Sequence, residues 1–143
     1  MSYGRLALAA VVATIVDAVY GFLVYGMILA GEFGRYPGVY RSTETGQAYL
    51  PLMFVGTLIA MFAVAYIYAK GYEGGAGFQE GLRFGVLVGI FVAGAFAGVD
   101  YAVLNIGRRL AVGLVCAGIV EWALNGIVIG VIYKPAAGVG KAR

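Results

Sequence analysis

Three acidic side chains fall inside long apolar stretches of the 143-residue chain: Asp17, Asp100 and Glu121. A carboxylate near the centre of a bilayer costs about 2.5–3.5 kcal/mol on insertion scales, so such residues face a bundle interior and often mark functional sites. At the helical rise per residue, Asp17 and Glu121 lie roughly 20 Å and roughly 17 Å from the same membrane face. We therefore expect these two carboxyls to share a depth near the midplane.

The surroundings of Asp17 and Glu121 contain polar side chains but no base. No lysine or arginine lies deep within an apolar stretch, so we expect one or both acids to carry a proton at neutral pH. Thr14, Tyr20 and Asn125 lie about one helical turn away and complete a candidate polar intramembrane cluster. Two interpretations stay open: a proton-responsive or cation-binding site that serves transport, or a hydrogen-bonded clamp between helices.

Asp100 has a different position, near the end of its apolar stretch and close to Arg108 and Arg109 in sequence. It can reach the headgroup layer or either arginine. We predict a structural ion pair at this point.

Other kinds of active site find little support. The chain has no histidine and a single cysteine, Cys116, which excludes bis-histidine haem, most zinc and copper sites, and a Cys-x-x-Cys pair. The glycine-rich stretch KGYEGGAGFQEGL lacks the Gly-Lys-Ser/Thr ending of a phosphate loop. The basic residues form no stripe of the kind that binds nucleic acid. We therefore expect no enzymatic activity, no cofactor, no metal and no nucleic-acid partner, and we interpret Cys116 as a small buried hydrophobe.

The elements that position the acids must be membrane helices. The chain is 62% hydrophobic and 12% charged, with a mean hydropathy of +0.91, whereas soluble domains are about 45–50% apolar and about 25% charged. Its four apolar runs each approach the roughly 20 residues that cross a hydrocarbon core. We predict one transmembrane domain over residues 1–143, an all-α integral membrane four-helix bundle with spans at about 6–30, 48–69, 84–104 and 110–133.

The third span contains a regular pattern of small residues. Its sequence, EGLRFGVLVGIFVAGAFAG, has glycine or alanine at every fourth position. Helices in lipid associate where small residues let their backbones approach, so this face serves either packing inside the bundle or contact with another subunit. The short link through Gly107 requires the third and fourth helices to form an antiparallel hairpin. The residues of the pattern are Gly81, Gly85, Gly89, Ala93 and Ala97.

The distribution of cations predicts an orientation. Four spans place both termini and the second connection on one side of the membrane, which carries more lysine and arginine than the other, so both termini are expected in the cytoplasm. The first connection, GEFGRYPGVYRSTETGQ, is interpreted as an aromatic interfacial anchor rather than a ligand-gripping loop. The cations are Arg5, Lys70, Arg83, Lys134, Lys141 and Arg143 on the first side, and Arg35, Arg41, Arg108 and Arg109 on the second.

Two segments carry a resemblance to a known group of proteins: YIYAKGYEGGAGFQEGLRFGVLVGIF at residues 66–91 and VIYKP at residues 131–135. They resemble small four-helix bacterial integral membrane proteins of unknown function, with the patterns YxKGYEGxxGxxEGLRFG and a C-terminal IYKP. The resemblance implies a bacterial inner-membrane location and a four-span layout. It implies no substrate, cofactor or catalytic residue.

These observations lead to three functional hypotheses. The first is a non-enzymatic protein of the lipid bilayer that acts by helix association, as a homo-oligomer or as an accessory subunit of a membrane complex. The second is a small proton- or cation-coupled transporter or channel that uses Asp17 and Glu121. The third is a lipid- or quinone-binding membrane protein.

Overall fold

Four long helices make up most of the molecule. The computed structural model describes residues 1–134 and is 82% helical, without strands in that part of the chain. The helices are helix 1 (Tyr3–Ile28), helix 2 (Leu50–Gly71), helix 3 (Gly77–Val103) and helix 4 (Arg108–Tyr133), each long and apolar enough to cross a membrane. The predicted all-α four-helix bundle is confirmed. Pro135 of the C-terminal motif and the cations Lys141 and Arg143 lie outside the described residues.

Two of the long helices contain a π-helical segment. Helix 1 is α-helical to Leu23 and continues as a π-helix over Val24–Ile28, and helix 3 contains a π-helix at Ala93–Gly98. Short helices at Ala30–Phe33 and Thr43–Gln47 lie in the first connection. Wide turns of this kind are rare and are often found at functional sites.

Helix 4 packs against helix 3 and helix 1, and helix 2 packs mainly against helix 1, with a smaller contact to helix 4. The tightest packing is at the end of the bundle that holds the start of helix 1, which we call the closed end. There the guanidinium of Arg5 donates a hydrogen bond to the carbonyl of Lys134, which joins the start of helix 1 to the end of helix 4. Buried residues of the closed end are Leu6, Ala9, Ala10 and Ala13 of helix 1, Met61, Ala65 and Tyr68 of helix 2, and Ile129 and Tyr133 of helix 4.

The regular pattern of small residues in helix 3 packs against helix 4 of the same chain. A Cβ atom on Gly85 would lie 3.0 Å from the Cα atoms of both Ala123 and Gly126, and one on Gly89 would lie 2.9 Å from the Cα of Ile119. Only glycine allows this distance between backbones, and the close approach multiplies van der Waals contacts that lipid cannot replace. Gly81 is buried in the same way against Gly126 and Gly130, and Gly77 against Gly130.

The π-helix in helix 3 extends this contact. In a regular α-helix of 3.6 residues per turn, residues four positions apart differ by about 40° in angular position. Small residues at every fourth position therefore rotate gradually away from the face of helix 3 that contacts helix 4. Accordingly Ala93 is only half-buried. The π-helix at Ala93–Gly98 turns less per residue, and Ala97 is buried again at 9% exposure.

Helix 3 begins at Gly77, not at Phe84 where the apolar span was expected to start. Its first turns are polar but still helical, because Gly77 and Gly81 pack on helix 4. The carboxylate of Glu80 accepts hydrogen bonds from the backbone amides of Glu73 (2.6 Å) and Gly75 (2.9 Å). The glycine-rich connection therefore already binds an anion, the chain's own side chain.

The first connection folds over the turn between helices 3 and 4. The backbone amide of Gly107 donates a 2.9 Å hydrogen bond to the hydroxyl of Tyr36, and Glu32 forms a salt bridge with Arg109. This connection is therefore fastened to the bundle by its aromatic residues. Phe33, Tyr36 and Tyr40 pack against Ile106, Leu110 and Ala111.

The expectation for Cys116 is wrong, because its side chain is exposed. Helix 4 contacts other helices on two sides, and a narrow strip of its surface between them faces outward. Cys116 belongs to that strip, together with Val112, Val120 and Leu124.

Candidate functional site

The structure brings Asp17 of helix 1 and Glu121 of helix 4 together inside the bundle. The side-chain amide of Asn125 donates a 2.7 Å hydrogen bond to Oδ1 of Asp17. The hydroxyl of Tyr25 donates a 2.7 Å hydrogen bond to Oε2 of Glu121. Both carboxyl groups therefore lie at the contact between helices 1 and 4, each hydrogen-bonded to a residue of the other helix. We call these four residues the carboxyl cluster.

Tyr25 is the member of the carboxyl cluster that the sequence did not suggest. It lies two turns beyond Asp17, in the π-helix Val24–Ile28, where spacing rules for a regular helix no longer apply. Its ring packs edge-on against that of Tyr20, with centroids 6.2 Å apart. Two features of the sequence could have suggested Tyr25: its aromatic hydroxyl and its position beside a glycine near the end of helix 1. Neither feature is specific for a functional site.

Two residues expected in the cluster make other hydrogen bonds. The hydroxyl of Tyr20 donates to the backbone carbonyl of Ala117 in helix 4, at 2.8 Å. The hydroxyl of Thr14 donates to the carbonyl of Ala10 in its own helix, also at 2.8 Å. Tyr20 therefore joins helices 1 and 4 beside the cluster, and Thr14 does not bridge helices.

Asn125 is the most deeply buried polar residue of the cluster. It is 1% exposed, and its Oδ1 atom has no hydrogen-bond partner among residues 1–134. A buried polar atom without a partner is costly and uncommon in native structures. The cluster thus has one acceptor that a further donor could satisfy.

A direct hydrogen bond between the carboxyl groups of Asp17 and Glu121 would require a proton on one of them. Two ionised carboxylates are acceptors only, so carboxyl groups within hydrogen-bonding range must share a proton to attract each other. Within residues 1–134, no lysine or arginine forms an ion pair with Asp17 or Glu121. The same range contains no group of three acidic, histidine or cysteine side chains that could hold a metal ion.

Asp100, Arg108 and Arg109 do not form the expected ion pair. Arg109 lies 3.1 Å from the carboxylate of Glu32, a residue that also contacts Arg35 at 3.6 Å. Burial, the nearby charge of Asp100 and the neighbouring Tyr36 raise the pKa of Tyr40. Asp100 therefore lies near the first connection. Of the two arginines expected to neutralise it, Arg109 is held by Glu32, and Arg108 forms no ion pair within residues 1–134.

The fold and the site together define a class: an all-α bundle of four helices able to span a membrane, with a pair of carboxyls between two of them. Comparisons with protein-family models, curated proteins and solved structures found no match. The resemblance to small bacterial membrane proteins of unknown function stays a prediction.

Proposed function

We propose that the protein is a small, non-enzymatic, proton-coupled membrane protein whose working site is the carboxyl cluster. The observation that carries this proposal is that hydrogen bonds hold Asp17 to helix 4 and Glu121 to helix 1, with no basic partner for either acid within residues 1–134, beside the Oδ1 atom of Asn125, which is unpartnered in the same range. Each carboxyl belongs to a different helix. Gain or loss of the shared proton therefore changes the force between helices 1 and 4.

A proton is favoured over a metal cation by the atoms available. Asp17 already accepts from Asn125, and Glu121 already accepts from Tyr25. A hard metal cation would need about six oxygen ligands. The oxygen atoms of the cluster that accept no hydrogen bond are fewer than six, whereas a shared proton needs only two oxygen atoms.

The test is proton flux in liposomes that contain a pH-sensitive dye. Asp17→Asn and Glu121→Gln each keep a carbonyl oxygen that can accept the hydrogen bond from Asn125 or Tyr25, but neither new side chain can titrate. We expect both variants to keep the helical content and thermal stability of the wild type and to lose flux.

Asp100→Asn is the matched control, since Asp100 is also an acid within a spanning helix but lies outside the carboxyl cluster. It should retain wild-type flux. Wild-type flux equal to that of empty liposomes would contradict the proposal, and so would full flux in Asp17→Asn. In that case the cluster would be only a clamp between helices.

Association with another subunit is a second candidate, although the surface expected for it is occupied. Gly81, Gly85 and Gly89 pack inside the chain. The outer face of helix 3 instead exposes Gly94 and Gly98 in the G-x-x-x-G spacing of tightly associating helices, and a Cβ on Gly94 would meet nothing within 4 Å.

Native mass spectrometry of the solubilised protein tests association. A homo-oligomer would give multiples of 14.9 kDa, and a complex would give the added mass of its partner. Gly94→Leu should reduce such a species, and Gly56→Leu, at an equally open position on helix 2, should not. A monomer in every sample would exclude this candidate.

We further propose a location in the bacterial inner membrane with both termini in the cytoplasm. The resemblance and the cation distribution support it: Arg5, Lys70, Arg83 and Lys134 all lie at or near the closed end. Reporter fusions at the two termini and within residues 37–41 would test the orientation. Reporters that are active in the cytoplasm should work at the termini and fail in the connection.

A further inference from the structure

A groove separates the end of helix 2 from the start of helix 3, and none of its lining residues belongs to the carboxyl cluster. Its volume is about 320 Å³, within the range of about 300–1,000 Å³ typical of small-molecule sites. The groove is apolar along the helices and charged at its mouth. The residues used below are Ile67, Tyr68, Glu73, Arg83, Phe84 and Leu87.

The groove exists because helices 2 and 3 each pack on a different neighbour. The small residues of helix 3 face helix 4, and helix 2 packs on helix 1. The rings of Tyr68 and Phe84, with centroids 5.3 Å apart, bridge the gap at its base. Ile67 and Leu87 remain 59% and 67% exposed on its two sides, where an acyl chain could lie against them.

Two opposite charges at the mouth of the groove are free to bind a ligand. Arg83 forms no ion pair, and neither does Glu73, among the residues that the structure describes. Both side chains are exposed. Glu80 is different, because its carboxylate already accepts two backbone hydrogen bonds in the connection.

Tyr68 supplies an independent sign that a polar atom is missing. Tyr68 is 2% exposed and lines the groove, and its hydroxyl has no hydrogen-bond partner in the part of the chain that the structure describes. A buried hydroxyl without an acceptor is costly. Because Tyr68 lines the groove, an oxygen atom of a ligand bound there is the candidate acceptor.

We propose that the groove binds one phospholipid with a zwitterionic, primary-ammonium headgroup, a phosphatidylethanolamine. The phosphate pairs with Arg83, the ammonium pairs with Glu73, and one acyl chain lies along Ile67 and Leu87. Guanidinium–phosphate and ammonium–carboxylate contacts are both charge-assisted hydrogen bonds. Glu73 lies in the connection after helix 2, and Arg83 is roughly 9 Å into helix 3. The two charges therefore lie at different heights along the groove.

The charges also discriminate between lipids. Basic pockets select anionic lipids, but this mouth has two carboxylates and one guanidinium, so an anionic headgroup is repelled. A choline headgroup keeps the phosphate but has no N–H group to donate to Glu73. The expected order of affinity is therefore ethanolamine, then choline, then glycerol headgroups.

The experiment is native mass spectrometry of the full-length protein in detergent, titrated with phosphatidylethanolamine, phosphatidylcholine and phosphatidylglycerol that carry identical acyl chains. We expect one ethanolamine lipid to bind about tenfold more tightly than the glycerol lipid, which corresponds to about 1.4 kcal/mol. Equal binding of all three lipids, or no bound lipid, would overturn the proposal.

Two charge variants locate the site. Glu73→Gln should abolish the preference for ethanolamine over choline lipid and keep choline binding unchanged, whereas Arg83→Gln should weaken both about tenfold. Glu44→Gln and Arg108→Gln are matched controls, because both residues are exposed and lie at the other end of the bundle. Equal losses in the control variants would show that the lipid adsorbs by charge alone and would overturn the assignment.

Tyr68→Phe tests the buried hydroxyl, with circular dichroism and the melting temperature as checks on folding. It should weaken lipid binding severalfold in protein that melts as the wild type does. Unchanged lipid affinity would remove Tyr68 from the site. The proposal does not depend on the proton-coupled function, since no residue is shared between the groove and the carboxyl cluster.

Discussion

The side-chain amide of Asn125 in helix 4 lies 2.7 Å from the carboxyl of Asp17 in helix 1, to which it donates a hydrogen bond. Asn125 is almost fully buried, so water cannot replace this bond when it breaks. The contact that holds the two helices together is therefore part of the same site that would bind a proton. A proton bound at this site would therefore also change the packing between helices 1 and 4.

The hydrogen bond between Asp17 and Asn125 should have a measurable coupling energy. A double-mutant cycle of Asp17→Ala and Asn125→Ala, measured by unfolding in detergent, should give about 0.6 kcal/mol, the average for hydrogen bonds between membrane helices, and at most about 1.7 kcal/mol. Thr14→Ala is the control, because its hydroxyl bonds within helix 1 and should show no coupling to Asn125. A coupling near zero for Asp17 would mean that the bond contributes nothing to stability.

Gly85→Ala should destabilise the contact between helices 3 and 4. The added Cβ would lie 3.0 Å from the Cα atoms of Ala123 and Gly126, and these backbone atoms cannot move independently. Overpacking of this kind costs roughly 1–3 kcal/mol. Thermal unfolding in detergent would detect it, with Gly56→Ala as the control at an open position of helix 2. Equal melting temperatures for the two variants would show that the helices separate easily.

Arg109→Gln should loosen the first connection, whereas Arg108→Gln should not. Arg109 lies 3.1 Å from Glu32, and Arg108 forms no salt bridge within the described chain. A pair with one exposed partner contributes about 0.2–1 kcal/mol, so hydrogen exchange of residues 30–40 should accelerate by at most about fivefold. The acceleration should also disappear at high salt. Faster exchange in both variants would point to a general effect of charge.

The pKa of Tyr40 should fall toward its ordinary value in Asp100→Asn. Burial raises this pKa first, and the negative charge of Asp100 raises it further, because both disfavour the phenolate. The stability that the neutral phenol contributes is present below the unfolded pKa, about 10. It is lost as the pH rises through the higher folded value. Carbon-13 labelling of the tyrosines, with Tyr40→Phe to assign the signal, would measure the titration, and an unchanged midpoint would contradict this role of Asp100.

The fold could be predicted because membrane helices leave strong local signals. Four apolar runs gave the number of helices. The depth argument for Asp17 and Glu121 needed only the rise per residue and the direction of each span. The structure places both acids at the contact between helices 1 and 4.

The remaining parts of the site depend on features that hydropathy does not contain. Tyr25 was missed because it lies in a π-helix, where the angular position of a residue departs from the regular helix. The salt bridge of Arg109 to Glu32 was missed because it depends on how the first connection folds back over the bundle. The hydropathy of the sequence does not place Gly77 in helix 3, because the first turns of that helix are polar and hydropathy detects only apolar spans. These turns are helical because Gly77 packs on helix 4.

The central position of helix 4 has a consequence for biogenesis. A ribosome delivers this helix after both of its neighbours, helix 1 and helix 3. Until helix 4 arrives, Gly85 has no backbone to pack against, and Asp17 lacks its hydrogen bond from Asn125. A nascent chain halted after helix 3 would therefore hold an uncompensated acid and an unmatched glycine surface in the bilayer. Membrane quality-control proteases could recognise it as unfinished.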